Sequence, residues 1–502
     1  MSVCLFPGTP AVYCRRLDRP VDLERLTEGL LPAQRHLIWL DSARTHPVTG
    51  RFSILGWDPW VLLVGPGGTS PSRSDADLQG LTVRTLDELR RIIGRYPGPR
   101  GVGLPPVGVG WLAVLRYEFN RWVERLPEPK PAAMKLPDLI VWGMRLTVIV
   151  DHLTGQSWCV SLIDPHIPQA RARRQARQRL EACDAQLEAA ASSEPFVANG
   201  AGHVLEPWPS MSQGQFEAMV DRAKQFIAAG EIFQANLSQR FAGRWSGSTW
   251  GLYRTLRQVN PSGFACFVKC PDMTLVSCSP ERLVRVHDGL VSTRPIAGTR
   301  PRGRTAQDDL VNSLELILSD KERAEHIMLV DLERNDLGRV CRYGSVDVNE
   351  LMSLEAYSHV IHIVSNVQGR LRAHADAVDV VRAMFPGGTI TGCPKVRCME
   401  LIHELEPEGR GAYTGSCGYL GFDGSMDLNI LIRTIVLQGS EWSFHVGAGI
   451  VADSQPDREY QETLAKAEAL RVALETSQTT SDDPTTYASS PMANPNASPR
   501  FL

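Results

Sequence analysis

The sequence predicts an α/β protein, built as one large composite unit or as two domains, and three observations carry this. Short apolar runs rich in β-branched residues crowd its first third, and helical patterns alternate with further strand-like runs beyond them. The 502 residues are 43% hydrophobic and 22% charged, the balance of a folded chain with ample core.

The runs RFSILGW at 51–57, PVGVGWLAVL at 106–115 and LIVWGMRLTVIV at 139–150 have strand lengths and strand composition. The Arg- and Ala-rich stretch at 168–191 reads as an exposed helix, and SSEPFVANGAG at 192–202 as a linker. A helix is expected over 213–229, stopped by Gly230. Beyond Ser477 the Ser/Thr/Pro/Asn-rich composition predicts a disordered tail. The expected division is an N-terminal region at 1–190, a main domain at 207–475 and a tail at 477–502.

Several function classes are disfavoured by composition. Lys plus Arg number 53 against 56 Asp plus Glu, a net charge of −3, so no nucleic-acid partner is expected. No run approaches the ~18 apolar residues of a membrane span, and the N-terminus has Pro and charges where a signal peptide needs an apolar core. The eleven cysteines are scattered without a CxxC pair, which predicts reduced thiols in a cytoplasmic protein.

Chemistry concentrates in the second half. DKERAEHIMLVDLERND at 320–336 suits a helix buried along Ile327, Leu329, Val330 and Leu332, with Glu322 and Glu325 three apart on one face. REYQETLAKAEAL at 458–470 repeats that spacing with Glu459 and Glu462, and Lys466 follows Glu462 by four. Two such pairs could hold Mg²⁺, which prefers oxygen ligands; the same spacing also occurs on solvated helices with i,i+4 ion pairs.

FPGGTITGCPKVR at 385–397 has the GxxxxG spacing of a phosphate loop, but Lys395 comes three residues after Gly392 and no Ser or Thr follows it. The motif fails as a nucleotide site, leaving a tight turn before a helix N-terminus, whose N–H groups suit an anion. In HVGAGIVAD at 445–453, Gly447 and Gly449 let a ligand approach a strand backbone. RPIAGTRPRGR at 294–304 and Arg433, which interrupts the apolar run NILIRTI, suit a dianionic small substrate. His362 lies in the apolar run VIHIVSNV, where a satisfied core histidine is the ordinary reading.

Taken in order, these segments resemble the chorismate-utilising enzymes: anthranilate synthase component I, aminodeoxychorismate synthase component I, isochorismate synthase and salicylate synthase. The resemblance runs over 207–475 through GEIFQANLSQRF, SPERL, RPIAGTRPRG, DKERAEH, DLERNDLGRV, SHVIHIVSNVQG, FPGGTITGCPKVRCMELI, MDLNILIRT, GAGIVADS and EYQETLAKAEAL. WLDSARTHPVTGRFSILGWDP at 39–59 extends it, less specifically, into the N-terminal region.

The resemblance implies a large, two-layered, predominantly antiparallel β-sandwich flanked by helices, as in anthranilate synthase component I. It assigns Glu325 and Glu462 as Mg²⁺ ligands, with Glu322 and Glu459 beside them. Tyr413 and Arg433 would grip a substrate carboxylate, helped by Gly447, Ala448, Gly449 and Lys466. Glu281 would protonate the departing C4 hydroxyl, with His362 and Thr389 lining the pocket.

Family members that add water carry a lysine base where this chain has Gln234. Glutamine cannot deprotonate water, whereas neutral ammonia needs no base, so amination is implied. Ala297 stands where many aminodeoxychorismate synthases have a lysine that attacks the ring, and the PIAGT form belongs to anthranilate synthases. Asn236 in FQANLSQRF, FPGGTITG, and YTGSCGYLGFDGSMDLNI point to the aminodeoxychorismate type instead. The tryptophan-binding signatures of anthranilate synthases appear altered, as WLDS and NPSGFA. The expected activity is therefore conversion of chorismate to 4-amino-4-deoxychorismate, toward p-aminobenzoate and folate, with anthranilate synthesis as the alternative. No segment resembles a glutaminase, so ammonia is expected from a separate glutamine amidotransferase subunit.

Overall fold

The computed structural model describes residues 2–4, 11–67, 78–96, 104–107, 109–164, 166–192, 205–303, 305–356 and 360–477. Within them 22 strands join in one hydrogen-bonded network. The strand pairs are antiparallel except that of Phe52–Val64 with Gln79–Thr82.

The two longest strands, Phe52–Val64 and Leu139–Asp151, pair with each other and pass from one layer into the other. Their register shifts between Pro59 and Val61, beside Asp58 at φ 54°. Pro59 has no N–H to give a ladder, so the strand bends there. The first layer runs from Ala11–Leu17 through Gln156–Ile163 and the two long strands to Leu37–Asp41, Phe264–Cys270 and Met273–Ser279. It continues through Thr434–Gln438 and Glu441–Ile450 to Gln234–Arg244. The second runs from the other halves of the long strands through Gly110–Leu115, Ser416–Gly421, Met426–Asn429, Arg282–His287 and Leu290–Thr293. It ends at Val360–Arg370, flanked by Ile296–Pro301 and Asp347–Ala356.

Alternation along the strands builds two cores. Ile38, Cys266, Val268 and Leu275 of the first layer share a buried cluster with Trp111, Ala113, Val284 and Leu428 of the second. Their neighbours Leu37, Trp39, Phe267 and Val276 point the other way, under helices Leu23–Leu30, Gln169–Ser192, Thr249–Val259 and Pro456–Thr476. The two-layered, mainly antiparallel sandwich flanked by helices is thus present.

Details differ from the sequence reading. The 106–115 run becomes a strand only from Gly110, and the 51–57 run extends to Val64. The Arg- and Ala-rich helix is not exposed all round: Ala172, Ala176, Leu180, Cys183, Leu187 and Ala190 form a buried stripe, made inconspicuous by its small side chains. Ile327 is 53% exposed, because the buried stripe of Asp320–Gly338 runs through His326, Leu329, Val330, Glu333 and Leu337, about 100° away. The helix Gln213–Ala228 starts with a Ser212 capping box, and Gly230 follows it at φ 76°. Most of the expected linker, from 193, and the expected tail beyond 477 lie outside the described residues.

Candidate active site

Edges of both layers approach one another at the site. Gln234–Arg244 and Glu441–Ile450 come from the first layer, Ile296–Pro301 and Val360–Arg370 from the second. Helices Asp320–Gly338 and Pro456–Thr476 bring in the four glutamates.

Glu281 sits between strands Met273–Ser279 and Arg282–His287 and is buried. Its backbone is fixed from both sides: Ile430 N–H donates to its carbonyl at 3.0 Å, and its own N–H donates to Ser279 Oγ at 3.3 Å. Burial raises the carboxyl to about 7, although Thr389, Arg433 and Lys466 pull it down. The Thr389 hydroxyl is the group that approaches this carboxyl, and apart from that approach neither Thr389 Oγ1 nor Glu281 Oε1, both buried, has a hydrogen-bond partner. Thr389 is held on the short turn Gly388–Ile390. A carboxyl so placed retains a proton near neutral pH, the condition for a general acid.

His362 lies on Val360–Arg370 opposite Thr299. The Gly298 carbonyl, freed by a bulge in which Gly298 takes φ 63°, lies 3.2 Å from Nδ1. A carbonyl only accepts, so the proton sits on Nδ1. Burial lowers the ring to about 4, leaving it neutral with Nε2 as the acceptor end. Ala297, beside the same bulge, is buried opposite Ile363.

Gln234, the first residue of its strand, is 4% exposed and donates Nε2–H to Glu325 Oε1 at 2.7 Å. Its side-chain Oε1 is buried without a partner. Glu325 is raised by burial and by Glu322, with a smaller push from Glu462 on the other helix. Glu459 is raised by burial and by Glu462. Arg300 Nη1 bonds Glu322 at 3.2 Å, and Lys466 pairs with Glu462 at 2.7 Å. Glu325 and Glu462 therefore repel one another from the two helices, with Glu322 and Glu459 beside them on their own helices. Among the described residues no three acidic, His or Cys groups converge into a ready-made cage; Mg²⁺ usually keeps waters and substrate oxygens, so two or so protein carboxylates suit it.

Lys466 also donates to the Gly447 carbonyl at 3.0 Å, tying its helix to the strand that carries Gly447, Ala448 and Gly449. Those residues pair with Ser238, Leu237 and Asn236. A Cβ on Gly449 would lie 2.6 Å from Gln234 Nε2; one on Gly447 would lie 2.6 Å from the Tyr413 hydroxyl. The missing side chains thus make room for functional groups against bare backbone. Tyr413 stacks on His445 with centroids 5.3 Å apart. The buried Arg410 lies over its ring and donates to the carbonyls of Ile390 at 2.9 Å and Asn236 at 2.7 Å. One guanidinium so fixes the Thr389 turn, the Gln234 strand and Tyr413 together, its charge balanced by Glu406 at 2.6 Å.

Arg433 does not interrupt a strand. It falls between Met426–Asn429 and Thr434–Gln438 at φ 50°, where the chain turns and the Arg433 carbonyl accepts from Cys278 N–H. Its Nη1 donates to Asn260 Oδ1 at 3.1 Å. The GxxxxG glycines serve packing: Cβ atoms on Gly387, Gly388 and Gly392 would strike Ile430, Leu332 and the Gln234 carbonyl. The helix Lys395–Leu405 does follow the tight turn.

Sequence reading missed a buried charge cluster behind Thr389, formed by Glu333, Asp336 and Lys395. The 3.6-residue stripe through His326, Leu329, Val330 and Glu333 is the signal that could have found it. Asn260, which orients Arg433, carries no comparable signal.

A sequence model for chorismate binding enzymes matches residues 48–472. The aminodeoxychorismate synthase component 1 of Bacillus subtilis is 40% identical over 454 residues, covering 90% of this chain and 94% of that protein. The anthranilate synthase component 1 of Pseudomonas aeruginosa is 42% identical over 451 residues, covering 86% and 88%. The crystal structure of anthranilate synthase component I from Streptococcus pneumoniae superposes with a TM-score of 0.70 at 32% identity, over 85% of this chain and 93% of that one. With 425 of 502 residues inside the family match, and relatives of this identity along nearly its whole length, the chain belongs to the chorismate binding enzyme family.

Proposed function

We propose that this enzyme aminates chorismate to 4-amino-4-deoxychorismate, using Mg²⁺ and ammonia from a separate glutamine amidotransferase subunit. The observation that carries amination is Gln234. A buried amide, fastened through its nitrogen to Glu325, occupies the place where water-adding relatives need a base. An amide cannot take a proton from water, while its carbonyl oxygen can accept a hydrogen bond from ammonia.

Arg433 and Tyr413 would hold one carboxylate of chorismate at the Gly447–Gly449 backbone. Glu281, protonated near neutrality, would give its proton to the C4 oxygen as the C–O bond breaks. Ammonia would attack the conjugated ring on the side of Gln234, and Ala297 excludes a lysine adduct. Neutral His362 would offer a hydrogen-bond acceptor near the ring without adding charge. Glu325 and Glu462, with Glu322 and Glu459, fit a divalent cation by their oxygen donors and mutual repulsion; Mg²⁺ there would neutralise and orient the second carboxylate.

The name component 1 borne by the relatives supports a partner subunit that supplies ammonia. A second reading, anthranilate synthesis, is favoured by Ala297 in the PIAGT segment. Incubating the purified chain with chorismate, Mg²⁺ and ammonium distinguishes the two. The first reading predicts neither fluorescent anthranilate nor pyruvate until an aminodeoxychorismate lyase is added, and p-aminobenzoate thereafter. Anthranilate with pyruvate in the absence of lyase overturns it. With glutamine as sole nitrogen source, activity without the amidotransferase subunit would contradict the partner assignment.

A further inference from the structure

Behind the Thr389 turn lies the buried cluster that the reaction as described does not use. Glu333 and Asp336 project from one face of the Asp320–Gly338 helix, and Lys395 opens the helix Lys395–Leu405. Glu333 and Asp336 are 4% and 5% exposed and Lys395 is 9% exposed. The Lys395 ammonium is committed: it pairs with Asp336 and donates to the Met384 carbonyl at 3.2 Å. Glu333 has no such cation of its own. One of its oxygens accepts the Gly388 N–H, and Oε2 is buried without a partner. Burial and the Asp336 charge drive its carboxyl up strongly, and the Glu281 charge adds to this.

Three buried polar atoms lie about this three-residue turn: Glu333 Oε2 and Glu281 Oε1, each short of a close partner, and Thr389 Oγ1, whose one approach is to the Glu281 carboxyl. Buried polar atoms are almost always bonded, so two under-satisfied carboxyl groups on either side of a hydroxyl that already approaches one of them mark a place for a mobile proton or water. The Thr389 hydroxyl both donates and accepts, so it can pass a proton without changing its own state.

We propose that Glu333 supplies the proton that restores Glu281 between turnovers, acting through the Thr389 hydroxyl. Glu281 loses its proton to the C4 oxygen, and water leaves. Glu333 then gives its proton to Thr389 Oγ1 while the Thr389 proton moves to Glu281. Glu281 ends neutral, the hydroxyl is unchanged and Glu333 is a carboxylate. Ammonia, once bonded to the ring, is an ammonium whose surplus proton goes to solvent. Glu333 takes one proton back from solvent before the next turnover, so the cycle balances. This inference rests on the proposed role of Glu281 as the acid.

The test is rapid-quench kinetics of the full chain with Mg²⁺, ammonium and chorismate. Glu333→Gln keeps the shape and an acceptor for Gly388 N–H but has no proton to give. The expected result is a first turnover at the wild-type rate, then a steady state slower by about tenfold or more, with KM for chorismate within about twofold. Glu333→Asp, which keeps a transferable proton, should recover part of the steady-state rate, and carries the test if the Gln variant does not fold. An unchanged steady state, or first and later turnovers slowed alike, overturns the proposal. Glu281→Gln separates the two readings: its inactivity beside an unaffected Glu333→Gln sinks only the relay, whereas an active Glu281→Gln sinks the acid assignment beneath it.

Discussion

Replacing Glu281 by Gln should stabilise the protein at alkaline pH while nearly abolishing turnover. Burial raises this carboxyl from its ordinary 4.5 to about 7. Each unit corresponds to about 1.36 kcal/mol, so ionising it in the folded enzyme costs about 3 kcal/mol of stability. Below about pH 4.5 the group is protonated in both folded and unfolded states, and its contribution is fully kept. Between about 4.5 and 7 the unfolded chain releases a proton that the folded state holds, so stability falls as pH rises; above 7 the loss is complete. Glutamine has the same shape and never ionises. Urea unfolding near pH 5 and pH 8 should therefore show a Glu281→Gln advantage that grows with pH toward about 3 kcal/mol. In the wild type, kcat/KM should fall as pH rises through about 7, and the variant should lose at least about a hundredfold in kcat. A stability difference equal at both pH values, or near-normal turnover, would refute the reasoning.

Other perturbations reach the remaining parts of the site. Gly449→Ala puts a Cβ 2.6 Å from Gln234 Nε2 and should displace that amide from Glu325; about tenfold or more should be lost in kcat with circular dichroism unchanged. Glu325→Gln and Glu462→Gln should each weaken Mg²⁺ binding by about tenfold or more in calorimetry and raise the melting temperature of the metal-free protein, because each relieves like-charge repulsion. Lys395→Ala leaves Asp336 buried beside Glu333 without its paired cation and should cost about 3–5 kcal/mol in urea unfolding. A loss below about 1 kcal/mol would show that the pair does not hold the turn.

The layered sheet was legible through its β-branched runs, because strands buried on one or both faces write their burial into hydrophobicity. The bend at Pro59 was not, since a sharp bulge and an ordinary loop look alike in one sequence. The helix Gln169–Ser192 misled for a local reason: half of its buried face is alanine, which carries little hydrophobic signal among so many arginines. At the site, Glu281 and Gln234 stood out only through family resemblance, because an acid in SPERL has no spacing that marks it. Structure then supplied what spacing could not, the burial of Glu281 and the hold of Gln234 on Glu325. Arg433 was singled out for an inexact reason, since it sits in a turn ahead of the strand Thr434–Gln438 rather than inside one. Glu333 was hidden because a carboxylate in a charged run reads as solvated until the helical stripe around it is counted.

The central claim, that chorismate is aminated by ammonia and not hydroxylated, is tested most directly by isotope. Chorismate is incubated with the enzyme, Mg²⁺ and ¹⁵N-ammonium in ¹⁸O-water, and the products are weighed by mass spectrometry. The account predicts ¹⁵N in the product ring substituent and no ¹⁸O incorporated there. Isochorismate or salicylate carrying ¹⁸O, with nitrogen absent, would contradict it.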